Sequence, residues 1–172
     1  AIGRFFAQMC TLDNLGCCAP IWCLKLVELR PIEGDAGLIR KEYSTKKGIL
    51  FIDTGDNCRC PMAKGYLSKL LHQKGITYID IKTAGVMTPT GLLPTPEVVQ
   101  LLQEEGSDIR NHRSRPLSDD LIRRADLVLG MTPFHVQTAF RLTEAARGKT
   151  FLLKEFAGRE GKNVQIPDPM GG

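Results

Sequence analysis

From Gly48 onward the sequence predicts an α/β domain on a parallel sheet, and three observations carry that expectation. Short apolar runs alternate with segments of helical periodicity, the pattern of strands joined by crossover helices. Glycine or proline punctuates the changes between them. The first run, Ile49 to Ile52, ends abruptly in a Gly-containing polar loop, and the chain restarts as a helix behind Pro61, which is how phosphate-cradling loops are built.

Taken in order, Ile49 to Asp53 is the first strand. Met62 to Gln73 is a helix stopped near Gly75, and Ile76 to Thr83 is the second strand. Pro96 opens a helix whose apolar positions are Val98, Val99, Leu101 and Leu102 and whose stop is Gly106. Asp119 to Arg124 is a short helix and Leu127 to Met131 the third strand. Pro133 to Arg147 is a long helix ending at Gly148, and Thr150 to Leu153 is the fourth strand. No internal repeat or low-complexity tract interrupts this order. In such sheets ligands gather at the carboxyl ends of the strands, where Asp53 sits.

Residues 1 to 47 differ from the rest: they form an irregular, Cys-rich N-terminal extension broken by Gly16, Pro20, Pro31, Gly34 and Gly37. With 172 residues, 42% hydrophobic and 24% charged, the chain can bury one sizeable core. The extension is therefore expected to lie against that core or against a protein partner, through the apolar stripe of Ile21, Trp22, Leu24, Leu26 and Val27. The sequence begins at Ala1 without Met, as a processed precursor or a trimmed chain would.

Cys10, Cys17, Cys18 and Cys23 crowd together and Cys58 and Cys60 share one loop, so the six cysteines form no disulfide framework. A reducing soluble compartment is expected, cytoplasmic or inside an organelle. Adjacent Cys17 and Cys18 without a Cys-x2-Cys pair is poor zinc spacing, and neither metal nor cofactor is expected. A formal charge of +4 suits anionic ligands, but no Lys/Arg block points to nucleic acid. No run reaches the roughly 18 apolar residues of a membrane span.

The loop itself carries chemistry. Thr54, Gly55, Asp56, Asn57, Cys58, Arg59 and Cys60 lead into a helix, which aims consecutive backbone N–H groups and the positive helix end at one point. Arg59 adds a planar fork suited to two phosphate oxygens. On the bare pattern this is an oxyanion site or an ordinary strand-to-helix turn with a solvated arginine. The carboxylate of Asp53 at the entrance is at odds with an anion site.

TGDNCRCPMAKGYL resembles the phosphate loop of the low-molecular-weight protein tyrosine phosphatases, whose pattern is Cys-x-Gly-Asn-x-Cys-Arg-Ser-Pro-x-Ala. Gly55, Cys58, Arg59, Pro61 and Ala63 fall on it in register. Thr83 to Gly85 resembles the family's Ser-Ala-Gly, Asn111 to Leu117 its His-x-Ser-Arg-x-Leu stretch, Ala125 to Thr132 its third strand, and Ile166 to Gly172 its Asp-Pro loop. The resemblance spans residues 48 to 172. It implies a small doubly wound four-stranded sheet with helices on both faces. It also implies a chemistry: a cysteine thiolate attacks phosphorus, an arginine and the loop amides hold the equatorial oxygens, and an aspartic acid protonates the leaving atom. Carried over, Arg59 is the clamp and Asp168 the acid.

The nucleophile does not carry over. Asp53 stands where the pattern has the attacking Cys, Asp56 where it has the bracing Asn, and Cys60 where it has Ser. A carboxylate is bulkier and less nucleophilic than a thiolate, and two like charges roughly 4 Å apart repel by about 4 kcal/mol at an intermediate dielectric. Neither Cys58 nor Cys60 has an arginine six positions on. Related arsenate reductases need cysteines downstream, and none follows Cys60 here. Haloacid-dehalogenase-like phosphatases use a strand-end Asp in Asp-x-Asp-x-Thr, but Gly55 occupies the second Asp position.

These departures predict a phosphatase-like domain without turnover, serving as a binding or structural subunit with a protein partner on residues 1 to 47. The alternative is an active protein tyrosine phosphatase in which Asp53 is an engineered or misassigned cysteine. Family members close the fold with a helix after the Asp-Pro loop, which fits an extension that covers core. His72 and His135 are expected on exposed helix faces, His112 as a hydrogen-bonded loop residue, and Arg113 and Arg115 in solvent.

Overall fold

A computed structural model describes residues 46–158, 161 and 164–169. The expectations for Cys10, Cys17, Cys18, Cys23, the stripe around Trp22 and a partner on the extension fall outside them. The elements run β1 (Lys47–Asp53), α1 (Arg59–Gln73), β2 (Ile79–Gly85), α2 (Pro96–Glu104), α3 (Asp119–Arg124), β3 (Leu127–Gly130), α4 (Pro133–Leu142), a 3-10 turn (Glu144–Ala146), β4 (Thr150–Leu152) and α5 (Leu153–Phe156).

The four strands form one parallel sheet in the order β2-β1-β3-β4. β1 lies inside it, and its apolar run is buried on both sides. Ile49 and Phe51 pack with Leu67, Leu102 and Ile109 under α1 and α2, while Leu50 and Ile52 pack with Ile122, Ala139 and Ala146 under α3, α4 and the 3-10 turn. Gly65 lets α1 and α2 approach: a Cβ there would meet Leu102 Cδ1 at 2.7 Å. The chain leaves β1 towards β2 on one side and reaches β3 on the other, so the crevice at the carboxyl ends of β1 and β3 is the switch point of the sheet.

Three boundaries differ by three residues or more from those read in the sequence. Helix α1 starts at Arg59, because Pro61 falls in the first turn, where a missing N–H breaks no helix bond. Strand β2 starts at Ile79, since residues 76–78 belong to the turn out of α1, in which the Ile76 amide donates to Leu71 O at 2.9 Å. The long helix expected to Arg147 ends at Leu142. Thr143 turns extended at φ −157° and ψ 141°, and its hydroxyl accepts from the Ala145 amide at 3.3 Å to open the 3-10 turn. Helix α5 was not expected: β4 ends where its pairing with β3 ends, at Gly130 opposite Leu152.

Candidate active site

The loop between β1 and α1 is held from three directions. The Val86 and Met87 amides donate to Asp53 O and Thr54 O at 2.8 and 2.9 Å, and the Thr95 amide to Asn57 O at 3.0 Å. From the 110–117 segment, His112 Nε2 donates to Asp56 O at 2.7 Å and the Arg115 amide to Asp56 Oδ2 at 3.0 Å. Asp56 has φ 51°, the one positive value outside glycine among the described residues, and aspartate tolerates that conformation better than most residues. Its other oxygen, Oδ1, is buried without a hydrogen bond, 3.5 Å from His112 Nε2. His112 is thus the hydrogen-bonded loop residue expected, and Arg113 and Arg115 are exposed as expected.

Asp53 does not project from the mouth. Its carboxylate, 1% exposed, turns into the loop and accepts the Asp56 amide at 2.6 Å and the Cys60 amide at 2.9 Å. Burial raises its pKa, against the pull of those two amides and of Arg59. The crowding expected of a larger side chain is relieved because the carboxylate takes up amides that converge in the loop. Cys58 and Cys60 are free, buried thiols. Burial, then the Asp168 and Asp53 charges, push Cys58 up to about 11, and burial pushes Cys60 up as well, so both stay protonated at neutral pH.

Arg59 is the largest fully buried side chain among the described residues and has three partners. Nη1 donates to Ile166 O at 3.0 Å; Nη2 donates to Thr54 Oγ1 at 3.1 Å and to Asp168 Oδ2 at 2.7 Å. The pair is asymmetric, with 2% of the Arg59 side chain exposed against 41% of Asp168. Asp168 therefore stands on the solvent side of the guanidinium. Arg59 and Asp168, far apart in the sequence, meet over the loop that also contains Asp53.

His135 corrects the expectation of an exposed helix face: it is 1% exposed. It sits in the first turn of α4, across the switch point from the loop, with Nδ1 3.1 Å from the Thr132 amide and Nε2 3.0 Å from Thr54 Oγ1. Burial, then the Arg59 charge, lower its pKa to about 4. The missed signal was the spacing Thr132-Pro133-Phe134-His135, a helix start with a polar side chain at its third position able to fold back on the cap. His72 is exposed as expected. No cluster of three or more metal-ligating side chains occurs among the described residues. None of their helices is long and apolar enough to cross a membrane.

Comparison with known proteins agrees with this geometry. Residues 48–172 match the family described as low molecular weight phosphotyrosine protein phosphatase. A protein-arginine-phosphatase of Bacillus subtilis (strain 168) is 36% identical over 124 residues, 72% of this chain and 80% of that protein. A probable low molecular weight protein-tyrosine-phosphatase, EpsP, of Ralstonia nicotianae is 34% identical over 123 residues, 72% of this chain and 78% of its own length. Among solved structures, a cysteine-to-serine mutant of YwlE arginine phosphatase with a phosphorylated active-site serine superposes with a TM-score of 0.66 at 35% identity, covering 73% of this chain and 80% of that one. The doubly wound sheet, the loop at its switch point and these matches place the chain in the low-molecular-weight phosphotyrosine protein phosphatase family.

Proposed function

We propose that the chain is a protein phosphatase that takes a phosphoryl group from a phosphorylated side chain onto residue 53 and releases it to water. The observation that carries this reading is the Arg59–Asp168 pair at 2.7 Å, which keeps a clamp and an acid together above a loop of converging amides. The relatives named as phosphatases support the same reading. The phosphorylated serine of the YwlE mutant supports an oxygen, in place of sulfur, as phosphoryl acceptor on this scaffold.

An incoming phosphoryl group competes for the Arg59 fork and frees Asp168 from it. One Asp53 oxygen then attacks phosphorus, the bond from phosphorus to the leaving oxygen or nitrogen breaks, and Asp168 in its acid form gives that atom a proton. Water, losing a proton to Asp168, attacks the same phosphorus; the bond to Asp53 breaks and inorganic phosphate leaves. Arg59 and the loop amides hold the equatorial oxygens throughout. Tyrosine or arginine phosphate on a protein is the substrate class that the relatives suggest.

A second reading, binding without turnover, is favoured by one observation: the two amide bonds of Asp53, which fill part of the cradle from inside. Phosphate release from phosphotyrosine and phosphoarginine peptides separates the two. The phosphatase reading expects slow release in the parent, lost in Arg59→Ala and Asp53→Asn and faster in Asp53→Cys, with a hydroxylamine-labile phosphoryl group on Asp53. No release above blank in the parent, with release restored by Asp53→Cys, establishes the second reading.

A further inference from the structure

His135 is buried, bridges two elements and takes no part in the steps above. Its Nδ1 faces both the Thr132 amide and the Thr132 hydroxyl at 3.1 Å; the hydroxyl can take either role, but the backbone N–H only donates, so Nδ1 is the acceptor. The single ring proton is therefore on Nε2, which donates to Thr54 Oγ1 at 3.0 Å. A doubly protonated ring would set one N–H against another at Thr132. Thr54 Oγ1 also receives Arg59 Nη2 at 3.1 Å, and a guanidinium has no acceptor. Both lone pairs of that hydroxyl are taken, which leaves its hydrogen for a third group. Thr54 is only half-buried, and its oxygen shares Arg59 Nη2 with Asp168 Oδ2, so the third group is one that enters beside the guanidinium.

We infer that the Thr54 hydroxyl donates a hydrogen bond to the anion held in the loop, and that His135 is the positioning residue that fixes it as a donor. Without the imidazole, the hydroxyl is free to rotate and present a lone pair to the incoming negative charge. This rests on the loop being a phosphoryl cradle, though not on turnover.

The test is a titration of the full chain with inorganic phosphate, followed by NMR, in the parent and in Asp53→Ser, which releases the two amides that the carboxylate holds. The cycle is read in whichever background binds. Thr54→Val is expected to weaken phosphate binding about tenfold, the loss of a hydrogen bond to a charged group. His135→Leu should weaken it to a similar degree, and the double variant should bind no worse than Thr54→Val alone, because the imidazole acts through the hydroxyl. His135→Gln, whose amide offers one acceptor and one donor, should recover most of the affinity. Long-range proton–nitrogen spectra should place the ring proton on Nε2. Additive losses, an unimpaired Thr54→Val, a ring proton on Nδ1, or phosphate binding in neither background would overturn the inference. Absent hydrolysis with the cycle intact would sink the phosphatase reading and leave this one standing.

Discussion

At the scale of the residue, His135 ties the fold to pH. Its pKa of about 4 in the folded chain lies below the ordinary value of 6.5. Between those values the unfolded chain binds the imidazole proton and the folded chain does not, so this group makes stability rise with pH across that window and fall as the medium is acidified. The effect at full protonation is roughly 3 kcal/mol. Asp53 acts in the opposite sense: its raised pKa means the folded chain holds the carboxyl proton longer, so its contribution declines as pH rises through the carboxylate range. Urea denaturation midpoints of the parent and His135→Gln between pH 4.5 and 7 isolate the first effect. The gap between the two proteins should narrow or reverse as pH falls. A gap constant with pH would show that the imidazole is not held neutral by the fold.

At the scale of the element, the strand end and the loop press on one another. A Cβ on Gly85, the last residue of β2, would lie 2.8 Å from Thr54 O, 3.0 Å from Gly55 C and 2.6 Å from Thr88 Cγ2. Two of those atoms are backbone of the loop, so Gly85→Ala is expected to cost about 1–3 kcal/mol and to displace the loop. Thermal unfolding and phosphate titration together check this: both Tm and anion affinity should drop, and an unchanged affinity would show that the loop is set without help from β2. Much of this scale was legible beforehand. Apolar runs located all four strands, and Gly75, Gly106 and Gly148 stop segments at φ of 66°, 75° and 77°. What local pattern could not give was register, because β2 begins where Lys47 of β1 finds Ile79, not where its own apolar run begins. Nor could it give the break at Thr143, a residue compatible with helix until its hydroxyl finds a better use capping the next turn. Asp53, Arg59 and Asp168 were visible as residue types in a motif. The turn of Asp53 into the loop and the bridge of His135 were not, since both depend on amides and hydroxyls that only the folded backbone brings near.

At the scale of the whole molecule, the site joins distant parts of the chain. Arg59 meets Ile166 O and Asp168 across sequence separations of 107 and 109 residues, whereas β1 pairs with β2 and β3 inside the sheet. Closing so long a loop is rewarded only after the sheet exists, so docking of the stretch around Ile166 is expected to come late in folding. Native-state hydrogen exchange should therefore find the Phe51 and Ile52 amides exchanging only by global unfolding, and the Ile166 amide, bonded to Met131 O at 2.7 Å, by a smaller and easier opening. Equal protection at all three would refute that order. The Arg59 guanidinium is nearly sealed from water, so until Ile166 O and Asp168 arrive it is a cation with too few partners. On the ribosome, residues 166–168 emerge more than a hundred residues after the loop they complete. A nascent chain can have its sheet formed and its loop threaded and still lack a closed cradle, so the completed Arg59 contacts wait on residues 166–168.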